Sequence, residues 1–369
     1  IWIPVNKQEK KELQKRLIRW YLEKRRPLPW RDTSDPYRIW LSEVMLQQTQ
    51  VNTVIPYYHR FLKKFPDLQH LAQADQQEVL KMWEGLGYYA RARNLHEAAQ
   101  TVVMEHHGAV PSDWEAFKKL PGVGDYIASA VLSIAFHRPC AVVDGNVKRV
   151  LARLRLLREP VNTSSAHKIF KSAAEKLLDR DDPATFNQAV MELGALVCMP
   201  RNPDCVNCPV RPGCRAHQTG NVDTYPKRIA TQAVPQYHIA VGVVCKKDRL
   251  LITRRKPEGL LGGLWEFPGG KVAKKESPQQ ACIREIAEEV NLKVEVDAYL
   301  TRVRHAYTHF KIIMDIYCCR YVSGRVRLNG PVDHRWIRIN EIDRFAFPKA
   351  NHKFLPALRQ WEAERKPIV

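Results

Sequence analysis

No stretch of this 369-residue chain approaches the roughly 20 consecutive apolar residues that cross a bilayer, so no membrane partner is expected. Residues Ile1 to Arg19 alternate charged and apolar side chains and hold no signal-peptide core, so a cytoplasmic, nucleoid-associated location is the expectation. The chain also lacks internal repeats and low-complexity tracts. Acidic residues are scarce: 39 Asp and Glu face 59 Lys and Arg, leaving a formal net charge of +20. Such an excess suits a polyanionic partner such as nucleic acid. Hydrophobic residues make up 45% of the chain, enough for a sizeable core, and the length predicts two domains.

The two halves differ in period. From residue 7 to about 216, apolar residues recur at three and four, as in Leu13, Leu17, Trp20 and Tyr21. Buried or half-buried helices are expected over Trp40–Val51 and Ile127–Phe136. From Thr219 to Gln236 the chain is polar, carries Pro226 and Pro235, and reads as a linker. Beyond it come short β-rich runs, Ile239–Cys245 and Leu250–Thr253, with further strands expected at Leu292–Val296 and Lys311–Tyr321 and a helix at Pro278–Val290. An all-α domain (1–216), a linker (217–236) and an α+β domain (237–369) follow.

Cysteine is present in odd number, nine, and four of the nine fall in one C-x6-C-x2-C-x5-C cluster: Cys198, Cys205, Cys208 and Cys214. In a cytosolic protein this density points to metal rather than disulfides. Zinc and a [4Fe-4S] cluster both use four thiolates. Zinc ribbons usually present two C-x2-C knuckles and only one occurs here, which tilts toward iron–sulfur without settling it. Arg201, Arg211 and Arg215 beside the loop are candidate phosphate contacts or ordinary solvated charges.

Leu120-Pro-Gly-Val-Gly-Asp-Tyr126 precedes a long apolar helix. Gly122 and Gly124 permit a tight turn with outward N–H groups, a geometry that receives phosphate at a helix start. Asp144, in Val-Val-Asp-Gly-Asn-Val, is by itself as well read as a helix N-cap. Glu43 sits in the apolar stretch Trp40-Leu-Ser-Glu-Val-Met-Leu46, where an ionised carboxylate is expensive, so its pKa should rise. A neutral Glu is a general acid and an ionised Asp steadies a cationic sugar. Together they suit cleavage of a glycosidic bond.

Together these motifs resemble the helix–hairpin–helix DNA glycosylases of the endonuclease III superfamily. Leu41-Ser-Glu-Val-Met-Leu-Gln-Gln-Thr49, Trp83-Glu-Gly-Leu-Gly-Tyr-Tyr89 and Phe186-Asn-Gln-Ala narrow the resemblance to the MutY-type adenine glycosylases. It implies a [4Fe-4S] cluster on the four cysteines, Glu43 protonating adenine, Asp144 stabilising the cation, and Tyr126 and Asn146 orienting the substrate and Asp144. It implies that Arg26, Trp30, Arg31 and Gln188 line a pocket for a flipped adenine. Gln48, Thr49, Leu86 and Tyr88 would wedge into the duplex. Bifunctional relatives carry Lys where this chain has Tyr126, so hydrolysis to an abasic site with little or no strand cutting is expected.

Gly270-x5-Glu276-x7-Arg284-Glu-Ile-Ala-Glu-Glu-Val290 resembles a Nudix box with Asn291 in place of its usual Gly. Glu285, Glu288 and Glu289 share a helix face that suits Mg²⁺ or is simply a solvated acidic face. His305-Ala-Tyr-Thr-His-Phe310 resembles a lesion-reading loop, with Tyr307, Thr308 and His309 as the readers of 8-oxoguanine. The expectation is therefore a helix–hairpin–helix glycosylase domain with an iron–sulfur loop, followed by a Nudix-like domain. It would act as a monomer on double-stranded DNA containing A opposite 8-oxoguanine or G. The rival is a Nudix-type hydrolase of oxidised nucleoside triphosphates with a DNA-binding helical domain.

Overall fold

The computed structural model describes residues 6–230 and 233–364. Positions 1–5, 231–232 and 365–369, which include two residues of the expected linker, lie outside the described residues. The chain forms two compact units. The first holds residues up to 72 and 97–231; the second holds 73–96 and everything from 232. The short insertion 73–96 thus packs with the C-terminal half although it lies in the helical half of the sequence.

The helical half runs as α1 (Lys7–Lys24), α2 (Pro36–Leu46), α3 (Val51–Lys64), α4 (Leu68–Gln73), α5 (Gln76–Trp83), α6 (Ala90–Glu105), α7 (Trp114–Lys118), α8 (Asp125–Phe136), α9 (Gly145–Arg155), α10 (Ala166–Leu177), α11 (Pro183–Leu196) and α12 (Arg215–Gln218). Capping sets several starts. Asp35 accepts from the N–H groups of Tyr37 and Arg38 before α2, and Pro36 and Pro183 open α2 and α11 at the one place where a missing N–H costs nothing. The helix expected over Trp40–Val51 is interrupted: α2 stops at Leu46, Gln48 takes φ 56°, and α3 restarts at Val51. The polar run Gln47-Gln48-Thr49-Gln50 has no apolar face to bury there, so nothing holds it in a helix. One core joins Leu13, Leu17 and Tyr21 of α1 to Val147, Val150 and Leu151 of α9, Phe170 of α10 and Phe186 and Leu193 of α11.

Past α12 the chain has no helix or strand among the described residues until β1. Its first part is nonetheless docked: Arg153 donates to the carbonyls of Val222 and Tyr225, and Val161 N–H donates to Lys227 O at 3.0 Å.

The C-terminal sheet is built from β1 (Gln236–Lys246), β2 (Arg249–Arg254), β3 (Trp265–Glu266), β4 (Gly269–Lys271), β5 (Leu292–Ala306), β6 (Lys311–Gly324) and β7 (Asp333–Ile337). The order is β3-β2-β1-β6-β5, with β4 paired to β1 and β7 to β2; β1 and β6 run parallel. Helix α13 (Pro278–Val290) covers one face through Cys282, Ile286 and Val290. Helices α14 (Lys349–His352) and α15 (Leu355–Glu364) belong to the other, where Phe347, Phe354 and Leu358 meet Val243, Ile252 and Ile316. A Cβ on Gly242 would stand 2.4 Å from the Cδ1 of Ile286, so only glycine lets α13 approach this closely. Asn291 ends α13 with φ 58°, a left-handed position that Asn tolerates, which accounts for its standing where the box usually has Gly.

Candidate active site

Glu43 lies on α2 and is 4% exposed. Its Oε2 accepts a hydrogen bond from the hydroxyl of Tyr126 on α8. Burial pushes the carboxyl up to about 7, and the nearby Asp144 charge adds to this, while the Tyr126 hydrogen bond and the Arg31 charge pull the other way. Asp144 is half-buried at the N-cap of α9. Its Oδ1 accepts from Val147 N–H at 2.6 Å and its Oδ2 from Asn146 Nδ2 at 3.1 Å. Burial raises its carboxyl; the bonds from Val147 and Asn146 and the charge of Arg149 oppose that rise. Burial, together with both carboxyl groups, also raises the Tyr126 hydroxyl well above its ordinary value. The three side chains therefore converge from α2, α8 and α9 onto one place. The N-cap reading of Asp144 and the site reading hold together: one oxygen caps the helix and the other is held by Asn146.

The hairpin stands immediately before Tyr126. Gly122 takes φ 74°, Val123 N–H closes the turn on Leu120 O at 3.1 Å, and Gly124 caps α8 without a side-chain bond. Among the described residues, no atom beyond its chain neighbours lies within 4 Å of a Cβ built at Gly124, so the start of α8 is open to an approaching group.

A second buried glutamate, Glu192 on α11, borders the site. It receives Arg26 through its backbone N–H, Nε and Nη2 at 2.9, 2.9 and 2.6 Å, and Arg31 through both terminal nitrogens at 2.8 and 2.7 Å. Burial pushes this carboxyl up, but the two guanidinium groups outweigh it and hold it at about 2. Two glutamates buried in apolar helices thus shift in opposite directions, decided by who faces them. Gln188 is near: its Oε1 accepts from the Tyr21 hydroxyl at 3.1 Å, and the Arg31 guanidinium lies over the Tyr21 ring. Trp30 is buried edge-on against Tyr58 with centroids 5.3 Å apart.

Sequence reasoning did not single out Glu192, Arg149, Asn187 or Gly194. Asn187 is buried and bonds Val142 N–H and Cys140 O, fixing the segment that leads into Asp144. Arg149 donates to Asn146 Oδ1, Gly194 O and Cys198 O, each at 2.7 Å, so a continuous set of hydrogen bonds joins the cysteine loop to Asp144. A Cβ on Gly194 would stand 2.6 Å from the Asn146 Cβ. Glu192 alone carried a usable signal: it lies in Val-Met-Glu-Leu-Gly-Ala, the same setting that marks Glu43.

Cys198, Cys205, Cys208 and Cys214 are half-buried free thiols lining one cavity of about 30 Å³. Arg153 Nη1 donates to the Cys198 sulfur at 3.4 Å, a contact suited to an anionic thiolate. The donor set fits a soft thiolate-bound centre. Among the described residues, no three His, Cys, Asp or Glu side chains are gathered tightly enough to hold a single metal ion. This applies also to α13. Arg284 occupies Glu285 Oε1 and Glu288 Oε2 at 2.9 Å each, and Glu289 Oε2 accepts from Gly269 N–H at 3.0 Å. On the face left open between Mg²⁺ and a solvated acidic surface, these three carboxylates accept internal bonds.

In the C-terminal unit, Tyr307 stacks on Phe310 at 4.7 Å and leaves Thr308 and His309 exposed at the tip between β5 and β6. The Tyr88 hydroxyl donates to Thr308 Oγ1. Leu86 is buried, so Tyr88 is the more accessible of the two expected wedge residues of this unit. In the helical unit, Gln48 is exposed and Thr49 Oγ1 bonds Gln47 O.

Residues 41–192 match the model of the HhH-GPD superfamily of base excision DNA repair proteins, and residues 240–357 match a NUDIX domain. Adenine DNA glycosylase of Mus musculus is 34% identical over 95% of this chain and 78% of its own length. The Rattus norvegicus adenine DNA glycosylase is 36% identical over 96% and 78%. A solved thermostable thymine-DNA glycosylase superposes on 57% of this chain and 98% of its own, with 30% identity and a TM-score of 0.52. With relatives of this likeness matched over most of their length and both domains matched in order, the chain belongs to the adenine DNA glycosylase family.

Proposed function

We propose that this protein hydrolyses the N-glycosidic bond of adenine paired with 8-oxoguanine, and also with guanine, in double-stranded DNA. The observation that carries it is Glu43: a buried carboxyl pushed up to about 7, bonded to Tyr126 and within the field of Asp144. A carboxyl half-protonated near neutral pH donates a proton to the departing base. Asp144, with Asn146 and Val147 holding its charge, stabilises the cationic sugar and directs water to it. Arg26, Arg31 and Gln188 border the place where a flipped adenine would sit. Tyr126 offers no amine at the sugar, so the product is an abasic site without Schiff-base strand cutting.

Cys198, Cys205, Cys208 and Cys214 would hold a [4Fe-4S] cluster. Bound there, it would fasten the loop 198–214 through four thiolates. Thr308 and His309 would read the base opposite adenine. The test is base release from duplexes carrying A opposite 8-oxoguanine, A opposite G, T opposite G and A opposite T. Adenine released from the first two alone supports the proposal. Thymine release, or no release from A opposite 8-oxoguanine, overturns it.

A further inference from the structure

Residues 85–88 form a tight turn with Gly85 at φ 98° and Gly87 at φ 73°, which glycine adopts freely, and Tyr88 at φ 47°, which costs a residue with a side chain. Such a turn persists only where its surroundings over-determine it. Arg91, at the start of α6, supplies much of that restraint. Its Nη2 lies 3.0 Å from Gly87 O and 3.3 Å from Leu86 O. Its guanidinium lies over the rings of Trp83 and Tyr88, 5.4 and 5.6 Å from their centroids. Burial pulls the Arg91 cation down to about 10, so its placement is costly.

The other end of the turn is fastened by Glu84, whose carboxylate accepts from Phe347 N–H at 2.8 Å, His352 Nε2 at 2.9 Å and Lys81 Nζ at 2.6 Å. All of these residues belong to the C-terminal unit, as does Thr308, which receives the Tyr88 hydroxyl. Having accepted from Tyr88, the Thr308 hydroxyl keeps one lone pair and its own proton. 8-Oxoguanine carries an N7–H donor where guanine has a bare N7 acceptor, so the position of that oxygen, and which of the two it presents, weighs differently on the two bases.

We infer that Arg91 is a positioning residue for discrimination at the base opposite adenine: by holding the Leu86 and Gly87 carbonyls and the Tyr88 ring, it sets where the Tyr88 and Thr308 hydroxyls stand. This rests on the proposed function, in which Thr308 faces that base. The test compares kcat/KM for adenine release from A opposite 8-oxoguanine and A opposite G in the wild type, Arg91→Met, Arg91→Lys, Tyr88→Phe and the Arg91→Met/Tyr88→Phe double variant. Arg91→Met lowers the 8-oxoguanine preference about tenfold, the size expected for a charged hydrogen bond. Arg91→Lys restores part of it. The double variant is no worse than the worse single, because Arg91 acts through Tyr88. A purely structural role would lower both substrates equally and leave the ratio alone.

An unchanged ratio in folded Arg91→Met, or losses that multiply in the double variant, overturns the inference. Tyr88→Phe removes only one hydroxyl, and an unchanged ratio there overturns it even if Arg91→Met does not fold. Wild-type protein releasing adenine from neither duplex sinks the proposed function and this inference together. Wild-type release with a preference untouched by the variants sinks the inference alone.

Discussion

The Tyr126 hydroxyl donates a hydrogen bond to Glu43 Oε2, and that bond favours the ionised carboxylate while burial favours the neutral acid. The balance leaves the carboxyl at about 7. If neutral Glu43 is the acid, activity falls as pH rises through that value. Tyr126→Phe removes the restraint, so the carboxyl rises further and the alkaline limb of the kcat profile moves to higher pH. Single-turnover rates from pH 6 to 9 check this. A limb that moves to lower pH contradicts the assignment of Glu43 as the acid.

Glu43→Gln keeps the shape and loses the proton. Adenine release should drop by roughly 10²–10⁴, the usual worth of a positioned acid, with duplex affinity retained. Stability supplies an independent check. The folded carboxyl binds its proton more tightly than the ordinary value of 4.5. Its stabilising contribution is therefore complete below about pH 4.5 and fades as pH climbs through about 7. Glu43→Gln has no such loss, so against wild type its relative stability in urea should improve by a few kcal/mol over that window.

Asn146 acts on the other carboxyl and so on the other limb of the profile. Its Nδ2 bond to Asp144 Oδ2 opposes the burial that raises Asp144. Asn146→Ala lets Asp144 rise further. Activity that needs ionised Asp144 is lost as pH falls, so the acid limb moves to higher pH while the alkaline limb stays. A profile shifted as a whole would show that Asn146 does not act through Asp144.

The parts of this site that sequence made legible are those set by local chemistry. Glu43 announces itself as a carboxyl among apolar neighbours, and Gly122 and Gly124 as a turn before an apolar helix. The protonation state of Glu192 was not legible, because Arg26 and Arg31 reach it from far along the chain. The length of β5 was hidden for another reason. Beyond Val296 it exposes Arg302 and Arg304 and is kept extended by pairing with β6, so it shows little apolar alternation. Arg149 reads as a surface cation in sequence; only the approach of Gly194 to Asn146 turns it into a link between Cys198 and Asp144.

That approach gives the last prediction. The Cβ of Gly194→Ala would lie 2.6 Å from the Asn146 Cβ and 3.1 Å from its Cα, contacts that neither α9 nor α11 can relieve by rotating a side chain. The helices must part by some tenths of an ångström, which costs about 1–3 kcal/mol. Asp144 and Asn146 both sit at the start of α9 and move together, so the strain falls on the Asn146 side chain and on the Arg149 bond to Gly194 O, through which Arg149 holds Asn146 Oδ1 and keeps its Nδ2 on Asp144. Gly194→Ala should therefore lose stability in urea and also show the raised acid limb of Asn146→Ala, although residue 194 touches neither carboxyl of the site. Adding Asn146→Ala to Gly194→Ala should then cost little further activity, since both act on the same bond. A destabilised variant with an unaltered pH profile would show that the contact only packs two helices.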